Sequence, residues 1–150
     1  MRALIQRVTH GSVTIDGKIT SSIETGYVIL LGVVEKDTEK ESQVLAQKTV
    51  NLRIMSDDND NMNLSILDVK GDILVVSQFT LCADCSAGRR PSFIKAAKPD
   101  IARLLYEHFI SELKKLGAEK VVTGEFGAYM NVDISNDGPV TIMLDTNALI

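Results

Sequence analysis

Apolar and polar residues alternate with the two-residue rhythm of strands through most of the first third of the chain. Ala3 to Thr9, Ser12 to Ile15 and Lys18 to Ser22 follow it, with Asp16-Gly17 as the hairpin turn before the last, and an apolar run starts at Tyr27. The period then lengthens. Thr38-x-x-Glu41 is a capping box, and Val44, Leu45, Lys48, Thr49 and Leu52 recur at helical spacing, so a helix is predicted over 38–53 with Thr38 or Asp37 as its cap. Asp72 to Gln78 holds four successive apolar residues, two of them valine, and predicts a strand buried on both faces. A second helix opens near Pro99, which suits a first helical position. Ile101, Leu104, Leu105, His108, Phe109, Leu113 and Leu116 keep one apolar face until Gly117. Lys120 to Glu125, Ala128 to Ile134 and Pro139 to Leu144 read as closing strands, with Asn136-Asp137-Gly138 as the turn before the last. The order predicts an α+β fold: a mostly antiparallel, barrel-like β-sheet carrying two main helices, in a single domain over 1–150.

Composition narrows the class. At 150 residues, with 45% hydrophobic and 24% charged positions, the chain can bury roughly 70% of its extended surface. Disorder, collagen and coiled coil are excluded. The longest apolar run, Tyr27 to Val34, is far short of the roughly 20 residues that a membrane-spanning helix needs. Only Ala3, Leu4 and Ile5 separate Arg2 from Gln6 and Arg7, against the about 7 to 15 apolar residues of a secretory signal. Two cysteines are too few for a disulfide scaffold, so a cytoplasmic protein is expected. The net charge of −4 weighs against a nucleic-acid partner without saying where a basic patch sits.

Several familiar chemistries find no support. Cys82-Ala83-Asp84-Cys85 has C-x-x-C spacing, but zinc wants four ligands and the remaining candidates are His10 and His108. A redox pair usually opens a helix, whereas this one lies in a loop with an acidic Asp84 inside it. Residues 57–63 resemble a calcium loop that lacks its glycine and closing glutamate, so no metal is expected there. G-x-S-x-G, H-E-x-x-H, P-loop and G-x-G-x-x-G patterns are all missing, and neither histidine has a triad context. Basic charge gathers at Arg89, Arg90, Lys95 and Lys98, with no acidic residue between Ser86 and Lys98. Such a loop can grip phosphate through arginine forks or serve only as a solvated surface. In Asn136-Asp137-Gly138-Pro139-Val140-Thr141, a trans turn is the ordinary expectation. A cis Gly138-Pro139 bond would set two backbone carbonyls side by side as a rigid wall.

Four segments carry a specific match: Met1-Arg2-Ala3-Leu4-Ile5-Gln6-Arg7-Val8, Ser77-Gln78-Phe79-Thr80-Leu81, Gly88-Arg89-Arg90-Pro91-Ser92-Phe93, and Asn136 to Thr141. Together they resemble the D-aminoacyl-tRNA deacylases, the chiral proofreading enzymes of translation, from end to end. Cys82 and Ala83 stand where that family commonly has an aromatic residue and a glycine. The resemblance implies a cytosolic homodimer that hydrolyses the ester joining a D-amino acid to tRNA, spares the L-ester, and acts on some glycyl-tRNA. It implies aminoacyl-tRNA as partner, neither DNA nor a membrane, and no metal or organic cofactor. It further implies that Gly138 and Pro139 form a cis pair inserted from one subunit into the other's pocket, held by Arg7. Ser77, Gln78, Phe79 and Thr80 match the strand end lining the reaction centre, and Phe126 and Met130 match pocket residues near the adenosine. Arg89, Arg90 and Lys95 are the expected tRNA contacts.

Catalysis is expected to follow one of two routes. Thr80 is the nucleophile, although no base lies beside it in sequence, or the terminal 2′-OH of the tRNA helps activate water while N–H groups around Phe79 and Thr80 stabilise the oxyanion. A different class of function, a tRNA-end-binding or thiol redox module using Cys82 and Cys85, would use the same barrel.

Overall fold

The computed structural model describes residues 1–149, and its organising element is one long strand, β1 (Arg2–Ile15). The break expected near His10 is absent because β8 pairs with β1 on both sides of it, at Val8 and His10. Along one edge its first half meets β3 (Gly26–Gly32), from Arg2 opposite Gly32 to Val8 opposite Gly26. Its second half meets β2 (Lys18–Ile23), from Gly11 opposite Ile23 to Ile15 opposite Lys18. Along the other edge β8 (Asn131–Asp145) accompanies β1 for nearly its whole length. These pairings are antiparallel. β6 (Asp72–Ser77) and β7 (Val121–Thr123) then continue from β3 in parallel, each reached by a helical crossover, as parallel neighbours require.

The crossovers are the two predicted helices. α1 (Glu39–Asn51) starts at Thr38, whose hydroxyl accepts from the Lys40 N–H at 3.3 Å while the Glu41 carboxylate accepts from the Thr38 N–H at 2.7 Å. α2 (Pro99–Lys115) carries its proline in the first turn, where the missing N–H costs nothing. Its buried stripe is Leu105, Tyr106, Phe109, Ile110 and Leu113. Ile101 and Leu104, expected on that face, are exposed; by helical rotation both lie on the side of Leu105 away from the rest of the stripe. His108 packs between the helices, its Nδ1 3.0 Å from Ser42 Oγ.

The sheet curls so that two apolar layers form. Val8, Val13, Ile23, Val28, Leu74 and Val76 fill its inside. The outer layer, with Ile5, Ile29, Ile73 and Val75 against Leu45, Phe109 and Leu113, joins the opposite face of the sheet to the helices. Because β3 and β6 feed both layers, they read as continuous apolar runs rather than alternating ones. A small hairpin, β4 (Met55–Ser56) with β5 (Met62–Leu64), fills the crossover after α1. Its turn is organised by Asp57, which accepts from the Asn59 and Asn61 N–H groups at 2.9 and 3.1 Å. Among the described residues no helix is long and apolar enough to cross a membrane.

The final strand departs from expectation. Asn136-Asp137-Gly138 does not reverse the chain: β8 runs straight through it. Gln6 pairs with Thr141 and Val8 with Asn136, so two steps along β1 face five along β8, and three residues are left over. The surplus is accommodated as a bulge that pushes Asp137 to Val140 off the sheet, the role for which bulges suit a glycine.

Candidate active site

β6 delivers its last residue, Ser77, to the rim of the sheet, where the Gln78 N–H still donates to the Leu31 carbonyl at 2.8 Å. The chain then tightens into a 3₁₀ turn, Phe79–Cys82. Arg2 holds that turn from below: its Nη1 donates to the Leu81 carbonyl at 2.8 Å while its Nε donates to Asp145 Oδ2 at 2.9 Å. Cys82 points inward, buried, with Sγ 3.4 Å from the Val33 carbonyl, and burial pushes its thiol pKa up. Phe79 and Thr80 point outward. The Phe79 ring is 56% exposed and meets Phe93 edge-on at 5.0 Å, and the Gln78 side-chain amide donates to the Thr80 hydroxyl.

Beside this turn lies a cavity of about 670 Å³, lined mainly by apolar atoms, with Ser77, Gln78, Phe79, Phe126 and Met130 among its lining residues. Two devices shape its far wall. Gly124 lies so close to Met130 that an added Cβ would come within 2.6 Å of Sδ, so the absence of a side chain lets Met130 lie flat. Phe126 is held between the Tyr106 ring, 5.7 Å away, and the Arg103 guanidinium, 5.1 Å from its centroid. Tyr106 in turn donates to the Val75 carbonyl at 2.9 Å, and burial pushes its phenol up to about 12, so the donor stays protonated.

Arg7, Gly138 and Pro139 form a separate group. They do not line this cavity. Arg7 is 8% exposed and its Nη1 donates to the Ile54 carbonyl at 2.9 Å. Its Nε lies 3.1 Å from Asp137 Oδ2 yet is not aimed at it, and that N–H is without a hydrogen-bond partner among the described residues. Asn136 pins the neck of the bulge, its side-chain amide donating to the Arg7 carbonyl at 3.0 Å and the Val140 carbonyl at 3.1 Å. Gly138 has φ +116°, the Gly138-Pro139 bond is cis, and both residues are exposed at the bulge tip.

The predicted basic loop is divided. Arg89 and Arg90 are exposed. Lys95 instead closes the loop, its Nζ 2.8 Å from Asp84 Oδ2, an acidic partner just outside the stretch that looked free of acids. Lys95, then the hydroxyl and N–H of Ser86, hold the Asp84 carboxyl far below its usual range. Cys85 is exposed while Cys82 is buried, and neither opens a long helix, so the pair lacks the setting that activates a redox thiol. Arg103, Tyr106 and Tyr129 belong to the cavity's surroundings without a signal in the sequence. Arg103 lies on a helix face that periodicity marks as polar, and a tyrosine in a predicted strand reads as ordinary packing.

Comparison with known proteins sets this geometry in context. The profile of the family described as D-Tyr-tRNA(Tyr) deacylase matches residues 4–145. Proteins named D-aminoacyl-tRNA deacylase from Thermosipho melanesiensis and Bacteroides fragilis are 53% and 54% identical to the chain over 146 residues, covering 97% of it and 97% of each relative. A solved structure of a c-Myc DNA Unwinding Element Binding Protein superposes with a TM-score of 0.92 at 41% identity, covering 97% of this chain and 98% of that one. A probable eukaryotic D-amino acid tRNA deacylase, at 16% identity, shares the fold with a TM-score of 0.81, over 95% of this chain and 97% of that one.

Proposed function

The chain belongs to the D-Tyr-tRNA(Tyr) deacylase family, and from that membership we propose that it hydrolyses the ester joining a D-amino acid to the 3′ end of tRNA, as a cytoplasmic homodimer. The observation that carries the mechanism is the separation of the two groups: an apolar cavity beside Phe79 and Thr80, and a polar-anchored bulge that does not line the cavity of its own chain. Each half supplies what the other lacks. In the dimer the Gly138-Pro139 tip of one subunit enters the cavity of the other, and Arg7 and Asn136 hold it at fixed height.

The aminoacyl-adenosine occupies the cavity with the base against Phe126 and Met130 and the ester at the Phe79–Thr80 turn. Water attacks the carbonyl carbon, a tetrahedral oxyanion forms, and the C–O bond to the ribose breaks as its oxygen takes the proton. The first N–H groups of a helical turn have no partner within it, so those of Phe79 and Thr80 are available to the oxyanion, a role in which losing one donor costs about 100- to 1,000-fold. Among the described residues the Thr80 hydroxyl has no carboxylate or imidazole as a hydrogen-bond partner, only the Gln78 amide, which donates to it. A threonine so placed is not activated as a nucleophile. The terminal 2′-OH of the tRNA therefore assists the water.

Selectivity follows from what the tip presents. Pocket hydrophobicity separates substrates by only about 1–3 kcal/mol per methylene, whereas a wall of backbone excludes a misplaced substituent whatever its chemistry. The Gly138 and Pro139 backbone forms that wall, rejects L-esters, tolerates many D side chains, and lets glycyl-tRNA through because glycine has nothing to exclude. The test is parallel deacylation of D- and L-tyrosyl-tRNA with chelator present and thiols reduced. Loss of the D-ester alone is expected; hydrolysis of both esters would remove the wall, and hydrolysis of neither by folded protein would remove the activity.

A further inference from the structure

One aromatic side chain at the cavity mouth is unused by the reaction just described. Tyr129 lines the cavity yet is 97% exposed, so its ring is presented to solvent by a turn whose inner residues, Phe126 and Met130, are held by packing. An aromatic ring contributes to a fold mainly by burying area, and this one buries almost none. Two cations belong to the same surroundings. Lys98, the residue before α2, lines the cavity, and the exposed Arg103 lies over the ring of Phe126, which also lines it. Among the described residues neither enters an ion pair, although the chain carries a net charge of −4.

An exposed ring beside unpaired cations is the combination that holds single-stranded nucleic acid, with bases stacking on the ring and phosphates meeting Lys and Arg. We propose that Tyr129 is the stacking platform for the base preceding the terminal adenosine of the substrate, with Lys98 and Arg103 meeting the neighbouring phosphates. The proposal rests on reading the cavity as the aminoacyl-adenosine site. With the terminal nucleotide inside, the next base of the single-stranded CCA end leaves at the mouth, where the Tyr129 ring is exposed in the single chain. Stacking reads no hydrogen-bond pattern, so Tyr129 positions the strand without selecting among tRNAs.

Binding separates this from a structural role. Fluorescence anisotropy would compare an acceptor-stem RNA hairpin ending in single-stranded CCA with the same hairpin made blunt. Tyr129→Ala is expected to weaken binding of the CCA hairpin about 5- to 150-fold, the range of base stacking on an aromatic ring, and to leave the blunt hairpin unchanged. Tyr129→Phe keeps the ring and is expected to restore wild-type binding. Lys98→Gln and Arg103→Gln are each expected to flatten the slope of log affinity against log salt by about 0.7. Equal loss for both hairpins, no loss, failure of Tyr129→Phe to restore, or a changed oligomeric state in Tyr129→Ala would each overturn the platform. Hydrolysis of D-tyrosyl-tRNA by the wild type, run alongside, keeps the two readings apart. Tyr129-dependent CCA binding without hydrolysis would sink the deacylase reading and leave the platform; hydrolysis with Tyr129-independent binding would sink the platform alone.

Discussion

The cavity wall and the β8 bulge are built by opposite means. The wall is mainly a product of packing: Phe126 and Met130 are held by neighbouring rings and a close glycine, and only Tyr106 behind them adds a hydrogen bond, to the Val75 carbonyl. The bulge stands off the sheet with its tip exposed and depends on a few polar contacts at its neck: the Asn136 amide to the Arg7 and Val140 carbonyls, and the Arg7 side chain, itself held by the Ile54 carbonyl, beside Asp137. Packing errors spread over many contacts, whereas a polar anchor fails at one atom. The wall should therefore tolerate volume-conserving changes that the bulge does not.

The sharpest break is at the tip. In Gly138→Ala the new Cβ would stand 2.9 Å from Val140 Cγ2, 3.1 Å from the Val140 nitrogen and 3.2 Å from Arg7 Nη2, at a φ of +116° that side chains rarely adopt. Strain of about 1–3 kcal/mol and a displaced tip are expected. Misplacement near 1 Å costs roughly 100-fold in rate, so D-ester hydrolysis should fall by about that factor while circular dichroism at 25 °C stays native. Full activity with full selectivity would end the wall argument.

Arg7→Met tests the anchor. It leaves the Ile54 carbonyl without its donor and costs about 1–3 kcal/mol, read as a lowered melting temperature. The ion pair contributes little of this, because Asp137 is 44% exposed and solvent screens it. Activity should fall further than stability alone explains; a stability loss with unchanged activity at 25 °C would detach the anchor from the site.

Smaller effects belong to the rim. Arg89→Gln or Arg90→Gln should lower tRNA affinity and reduce the salt slope by about one for each phosphate contact removed, and an unchanged slope would place those arginines away from the RNA. Least of all, Thr80→Ala should keep turnover near that of the wild type, measured on D-tyrosyl-tRNA at saturation. Complete loss with intact folding would make Thr80 the nucleophile after all.

Most of the elements are legible in the chain alone. Capping at Thr38, the proline opening α2 and the apolar run of β6 are local physics, set by hydrogen bonds and steric limits within a few residues. The segment Ser77 to Thr80 was legible because it continues a buried strand to its exposed end, and its resemblance supplied a role. What escaped was whatever depends on a partner distant in sequence. Thr9 and His10 remain in β1 because β8 pairs through them, at Val8 and His10, where β3 has ended and β2 not yet begun, and Asn136 to Gly138 bulges rather than turns because β1 runs on beneath it. Ile101 and Leu104 face solvent because the buried stripe of α2 runs from Leu105 toward Ile110, on the side away from them, and Lys95 pairs with Asp84. Only the tertiary structure decided that Arg7 meets Gly138 while both stand apart from the Phe79 cavity, since register across a sheet is a relation between strands and no stretch of one strand contains it.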